Sequence, residues 1–299
     1  MDLLNAESSY ASLEIFTTLD VYNSECEFAD EPSKKMIFLE SLRIKTSENL
    51  PSGFPFQVPV IEMLDELHFT TPVTFLVGEN GSGKSTLLET IACGLRCPTI
   101  GSSDVNLDDS LKGQRLLAQA MRFTRIKNPR IKLFFRAEDA IGFTRRIKDN
   151  LEELDNLEVH YDETLSGYAR DLATGAMQGQ KNGLKRKYGE NPDARSHGEW
   201  FISVIKERIH PGGLYLLDEP ETPLSPIHQL SLLSIIKQSV QDGSQFIIAT
   251  HSPIIMALPG ATILSFDQIP ICSIPWDEVE HVSIVRSFLN DPESYLRHL

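Results

Sequence analysis

The chain has 299 residues, 41% hydrophobic and 23% charged, with a formal net charge of −14. Those proportions are ordinary for a globular protein and exclude wholesale disorder. The acidic balance argues against a surface that coats nucleic acid at large, and no apolar run reaches the about 18 residues that a membrane span needs. The opening MDLLNAESSY lacks the basic and apolar regions of a secretory signal. Cys26, Cys93, Cys97 and Cys272 form no CxxC pair and have no histidines at metal spacing, so they read as free thiols of a cytoplasmic protein. At about 100–200 residues per domain, the length allows one large domain or two modest ones.

Residues 1–35 form an acidic N-terminal extension, read as a mobile tail or a small added element. Met36 opens a strand pattern, MIFLESLRI. FPFQVP at 54–59 is a proline-punctuated loop, and ELHF and VTFLV at 66–77 are strand-like. The second of these runs into GENGSGKST, after which Leu87, Leu88, Ile91 and Leu95 keep helical spacing. A polar loop follows, and residues 112–125 are expected to be a helix with Leu116, Leu117, Ala120 and Met121 inward. IKLFF at 131–135 reads as a buried strand and 138–157 as a helix. Residues 158–195, rich in Gly, Lys and Arg without a sustained period, read as an exposed excursion. Then come a helix over 197–209, the buried strand GLYLLDEP, a helix marked by Ile227, Leu230, Leu233, Ile236 and Val240, and the buried strand QFIIATHSP. ATILSF and ICSIPW read as late strands and 277–290 as an amphipathic helix. Continuously apolar strands alternating with helices indicate an α/β fold with a largely parallel sheet.

Three segments carry chemistry. Gly78-Glu79-Asn80-Gly81-Ser82-Gly83-Lys84-Ser85 fits G-x-x-x-x-G-K-[ST] in a strand-to-helix setting. Glycines there let backbone N–H groups converge on phosphate oxygens at a helix N-terminus. Lys84 can reach the β- and γ-phosphates, and Ser85 can ligate Mg²⁺. Strand GLYLLDEP delivers Asp218 and Glu219 at its C-terminal end, beside a phosphate loop on the same sheet edge. Asp218 is assigned to Mg²⁺ and Glu219 to the general base that orients water. Thr250-His251-Ser252 ends the next strand, where a histidine can donate to a γ-phosphate. The blander readings are a tight glycine turn, two solvated acids and a satisfied histidine; their joint occurrence in one order favours the functional set.

GENGSGKST, SHGEW (196–200), LLDEPETPLS (217–225) and ATHS (249–252) together resemble the Walker A, signature, Walker B with D-loop, and H-loop motifs of ABC-type ATPase heads. The LDEPE form and the ending DPESYLRHL are similar to stand-alone bacterial predicted ATPases of the AAA family with ABC architecture. The resemblance spans residues 36–299: a lobe with Walker A at 36–100, an arm or insertion at 101–195, and a lobe with the signature, Walker B and H-loop at 196–299. It implies a P-loop NTPase fold with a mostly parallel sheet core, an antiparallel β subdomain and a helical arm. It also implies ATP and Mg²⁺ bound between the two chains of a head-to-tail homodimer. Ser196 and Gly198 would then meet the γ-phosphate in trans, Lys84, Glu219 and His251 would act in cis, and Thr86 would touch the α-phosphate.

Ser196-x-x-Glu199 is also a capping box, which suits a helix terminus facing an anion. Leu165-Ser166-Gly167 is a competing signature, set aside because it lies far before Asp218, lacks a second glycine and precedes no clear helix. Several positions depart from the family pattern: Arg195 and His197 in the signature, Ser225 ending the D-loop, and Arg136 or Glu138 where a Q-loop glutamine is expected. Phe54 is the nearest aromatic candidate for adenine stacking. These features lead to two functional expectations. One is Mg-dependent ATP hydrolysis by the dimer, driving a protein partner. The other is a nucleotide-gated protein-binding module with negligible hydrolysis, which the resemblance links to genome maintenance or phage defence. The roughly 110 residues between Walker A and SHGEW hold no sustained heptads, against a chromosome-type coiled coil. Residues 112–148 carry eleven Lys/Arg against two acids, with Phe123 among them, and residues 149–163 carry seven acids. A solvated face balanced by those acids is favoured over a nucleic-acid track.

Overall fold

The computed structural model describes residues 36–45, 51–99, 105, 108–188 and 197–297. The acidic extension to residue 35 and Ser196 lie outside them. A six-stranded sheet runs in the order β5 (Ile131–Arg136), β6 (Gly213–Asp218), β7 (Gln245–Ala249), β3 (Val73–Val77), β8 (Thr262–Ser265), β9 (Cys272–Ser273). All its pairings are parallel except the last. Its central strands β6, β7 and β3 are buried along their length because both faces are covered. Leu76, Leu214, Leu216 and Ile247 face one core with α2 (Lys84–Leu95) and α3 (Lys112–Ala120). Phe75, Tyr215, Leu217 and Ile248 face a second core with α6 (His197–Arg208), α7 (Pro226–Gln241) and α8 (Pro253–Met256). No helix among the described residues is long and apolar enough to cross a membrane.

A three-stranded antiparallel sheet, β2 (Glu66–His68), β1 (Leu39–Ile44), β4 (Met121–Arg125), completes the first core. The expected helix over 112–125 therefore stops at Ala120. Met121 keeps the apolar helical period, but pairing with β1 overrides it. Phe123 packs its ring over Gly94 of α2, where a Cβ would come within 2.3 Å of it. This removes Phe123 as a base-stacking aromatic. Arg122, Arg125, Lys127 and Arg130 stay exposed, whereas Lys132 spends its ammonium on the Leu95 carbonyl.

Gln245 joins the two sheets. It is fully buried, accepts the N–H of Phe38 at 2.8 Å and of Leu39 at 2.9 Å, and donates to the Leu39 carbonyl at 2.9 Å. Gln245→Leu strands all three backbone groups without water. The variant is expected to lose about 3–5 kcal/mol in urea unfolding; a loss below about 1 kcal/mol would mean the sheets are held by packing alone.

The segment 158–195 is not an irregular excursion. α4 (Ala137–Thr164) and α5 (Tyr168–Tyr188) form a helical hairpin, and α4 alone is about 42 Å long at 1.5 Å per residue. Leu165-Ser166-Gly167 is its turn, with Gly167 at φ 60°. The helix that follows this tripeptide contradicts one reason given for setting it aside; its place at the exposed hairpin tip supplies a better one. Three of the acids of α4 find cations on α5, within the hairpin itself. Lys181 pairs with Asp155 and, at 2.6 Å, with Glu158, and Arg170 pairs with Asp162 at 2.7 Å. Cys93, Cys97 and Cys272 are free, and burial pushes the first two thiols up to about 11 and about 12. α9 (Glu280–Asn290) and α10 (Pro292–Leu296) end the described chain, later than the expected start at 277 because a short turn of 3-10 helix comes first.

Candidate nucleotide-binding site

The parallel register brings four strand ends to one edge. Arg136 lies opposite Asp218, Asp218 opposite Ala249, and Ala249 opposite Leu76. Backbone bonds lock the turns beyond them: Glu219 N–H donates to Ala249 O at 2.9 Å, and Thr250 N–H to Leu76 O at 3.2 Å. The phosphate loop leaves β3 and enters α2 with no room for a side chain at two of its three glycines. Gly78 has φ 144°, and a Cβ there would lie 2.8 Å from Asp267 Oδ1. Gly83 has φ 103°, and a Cβ there would lie 2.7 Å from Val60. Both positions need glycine for conformation and for space.

Lys84 is 4% exposed and folds back over the loop, donating to Gly78 O and Glu79 O at 2.7 Å each. Burial lowers its pKa, while Asp267, Glu219 and Asp218 oppose the shift. Ser85 Oγ donates to Asp218 Oδ1 at 3.0 Å. Burial pushes the Asp218 carboxyl up to about 7; the Ser85 bond opposes this and Glu89 and Glu219 add to it. Two hard oxygens, Ser85 Oγ and Asp218 Oδ1, meet here at a buried carboxyl. Among the described residues no cluster of three His, Cys, Asp or Glu could cage a metal. This donor set fits Mg²⁺, which is held by one or two protein oxygens plus phosphate and water.

Glu219 stands beyond the strand with φ 47°, the left-handed region that non-glycine residues avoid. The turn throws its carboxylate, 43% exposed, into an open cleft of about 540 Å³ lined by Glu79, Asn80, Glu219, His251 and His281. His251 Nε2 lies 3.9 Å from Glu219 Oε1, is buried and has no hydrogen-bond partner among the described residues. Burial lowers the His251 pKa, with Lys84 and His281 adding to the effect.

Three site residues were invisible to motif reading. Asp267, after β8, accepts the Glu79 N–H at 2.7 Å and braces the loop. Glu221 accepts the His251 N–H at 2.6 Å, tying the loop after β6 to the loop after β7, and burial raises its pKa. His281 reaches His251 from α9, with its Nε2 3.3 Å from His251 Nδ1. For Asp267 and His281 no sequence signal exists short of the fold itself, while Glu221 lay unassigned inside LDEPE.

Other assigned residues sit apart. Gly198 is buried at the start of α6 against the loop after β6 of its own chain: a Cβ would meet His228 Nδ1 at 2.7 Å and Pro223 O at 3.3 Å. Ser225 Oγ lies 2.9 Å from that same His228 Nδ1. Gly198 does not line the cleft. Thr86 is partly buried on the first turn of α2, and its carbonyl accepts from Thr90. Arg136, expected near the Q-loop position, is 7% exposed and pairs with Asp108 at 3.0 Å and Glu89 at 3.7 Å; the Glu138 side chain is outside the described ones. Phe54 is 64% exposed beside Gly113 of α3.

Residues 62–186 match a family model described as an AAA domain. Over 201 residues the chain is 26% identical to the uncharacterized ABC transporter ATP-binding protein YvrO of Bacillus subtilis (strain 168), covering 66% of this chain and 81% of that protein. It is 33% identical over 178 residues to the aliphatic sulfonates import ATP-binding protein SsuB of Escherichia coli (strain K12). That match spans 59% of either protein. A solved nucleotide-free ATP-binding cassette from an ABC transporter superposes over 86% of this chain and 97% of its own, at 18% identity and a TM-score of 0.43; at that score it adds nothing to the sequence relationships. The phosphate loop and these relatives together make the chain similar to the ATP-binding proteins of ABC transporters.

Proposed function

We propose that the chain hydrolyses ATP in a Mg²⁺-dependent reaction carried out by a head-to-tail dimer, and that the resulting cycle controls a protein partner. The observation that carries this reading is the cleft in which Glu219, His251 and the phosphate-loop residues Glu79 and Asn80 converge, with the Ser85–Asp218 bond made by the residues next to Lys84 and Glu219. The loop's N–H groups and the N-terminus of α2 bind the phosphates. Lys84 exchanges its two loop carbonyls for β- and γ-phosphate oxygens as they arrive. Thr86, Glu79, Asn80, Gly81 and Ser82 complete the cradle; the buried Ser82 hydroxyl has no partner among the described residues and can turn to one. Bound Mg²⁺, held by Ser85 and Asp218, would supply charge neutralisation for the phosphates. Glu219 takes a proton from the attacking water, and His251 Nε2 donates to the γ-phosphate side.

The cleft is open over Glu219, and the start of α6 faces the loop at 223–228 instead. A second subunit is what brings Ser196 and Gly198 to the phosphate. Phosphate release per subunit is therefore expected to rise with protein concentration and then saturate. A constant rate from a species of monomer mass would overturn the composite site. No release at any concentration, with stoichiometric ATP binding, would replace the hydrolytic cycle by a nucleotide-gated docking module.

A further inference from the structure

His281 belongs to none of the phosphate-binding motifs, yet its placement is over-determined. It lies between Val279 and Val282, each 2% exposed and anchored in the second core. Just upstream, Trp276 Nε1 donates to Pro253 O at 3.1 Å, docking the start of this segment on the helix that follows His251. Arg286 caps the Trp276 ring from 4.9 Å. The two imidazoles meet edge to face, with centroids 4.9 Å apart and an interplanar angle of 65°.

A neutral imidazole donates through one nitrogen and accepts through the other, so the partner of Nδ1 decides what Nε2 can do. Either His251 donates to His281, leaving a bare lone pair on His251 Nε2, or His281 donates and His251 keeps its proton on Nε2. The first arrangement points a lone pair at the Glu219 carboxylate 3.9 Å away and at any bound phosphate. The second points a buried, unpartnered N–H at both. The charged groups facing His251 are Lys84, Glu219 and Asp267, and its own burial disfavours the cation.

We propose that His281 is a positioning residue: it donates its Nε2 proton to His251 Nδ1 and so fixes His251 as the Nε2–H tautomer aimed into the cleft. The proposal rests on the reading of His251 as a donor to the γ-phosphate side. It assigns to α9 a role in the site that the loop motifs do not supply.

The test uses the full chain labelled with ¹⁵N-histidine. Two-bond ¹H–¹⁵N spectra should give the Nε2–H form for His251 in the wild type and a mixed or inverted population in His281→Ala. Turnover by His281→Ala should fall about 10- to 100-fold, as when an imidazole loses the group that orients it, with KM for ATP changed by less than about threefold. His281→Gln, whose amide can still donate, should bring turnover and tautomer back toward wild type. An Nδ1–H tautomer in the wild type overturns the proposal without any variant, and so does an unaltered His251 tautomer in His281→Ala. A wild-type chain that releases no phosphate counts against the hydrolytic reading alone, because the spectrum still decides the role of His281.

Discussion

Glu219→Gln is expected to lower turnover by about 10²–10⁴-fold, the range for loss of a general base, while ATP binding persists. Gln keeps the length and shape of Glu but cannot take a proton from water. The backbone argues that this carboxylate is placed for a purpose. β6 ends at Asp218, and the next residue enters the left-handed region at φ 47°, a conformation costing about 1–3 kcal/mol for a non-glycine residue. The bond from its N–H to Ala249 O holds the turn, and the side chain stands 43% exposed in the cleft instead of following the strand. An asparagine or glycine would relieve the strain and forfeit the base. With hydrolysis blocked and binding intact, ATP should hold two subunits together. Size-exclusion chromatography of Glu219→Gln should show a dimer with ATP and a monomer with ADP. Wild-type phosphate release by this variant would remove Glu219 from the base role.

The site was legible where its residues follow one another along the chain, and illegible where the fold assembles them from afar. Gly78 to Thr86 are contiguous, and their spacing encodes the loop. Asp218, Glu219 and His251 each follow an apolar strand, so strand and position point to them together. Asp267 and His281 are single polar residues in ordinary surroundings. Only the neighbouring positions of β3, β7 and β8, and the docking of α9, give them meaning. The fold divides the same way. Continuous apolar strands announced the parallel sheet. β4 was hidden because Met121 extends the helical period of α3, and strand pairing is a non-local event. α5 was hidden because Gly175, Gly179 and Gly183 dilute its helix propensity. Its ion pairs to α4 supply support that the local sequence does not advertise. Glu199, the N3 partner of the proposed capping box, lies on the first turn of α6, while the Ser196 half is outside the described residues.

Removing Mg²⁺ should leave a chain whose stability declines as pH rises from about 4 to about 7, and Asp218 is the reason. Its carboxyl is 9% exposed, and burial lifts its pKa from 3.8 to about 7. The folded state thus favours the protonated acid more than the unfolded state does. The stabilisation is complete below the ordinary carboxylate pKa and is lost as pH climbs through about 7. At 1.36 kcal/mol per pH unit, the full effect is about 4 kcal/mol at most. A bound divalent cation reverses the preference, since the ionised carboxylate is then the favoured form. Thermal unfolding at pH 5, 6.5 and 8, with and without Mg²⁺ and nucleotide, checks the sign. Without the metal, Tm should fall toward pH 8, and Mg²⁺ with nucleotide should restore most at pH 8 and least at pH 5. Glu221 is also raised by burial and contributes in the same direction, so Asp218→Asn serves as the comparison. That variant should lose the larger part of the pH dependence together with the Mg²⁺ effect. If Asp218→Asn kept the wild-type pH profile, the destabilising charge would lie elsewhere. A buried carboxylate whose side-chain bond comes from Ser85 is poorly solvated when ionised. A cation arriving with the nucleotide would replace that solvation, so the cost of ionising Asp218 would become affinity for Mg²⁺.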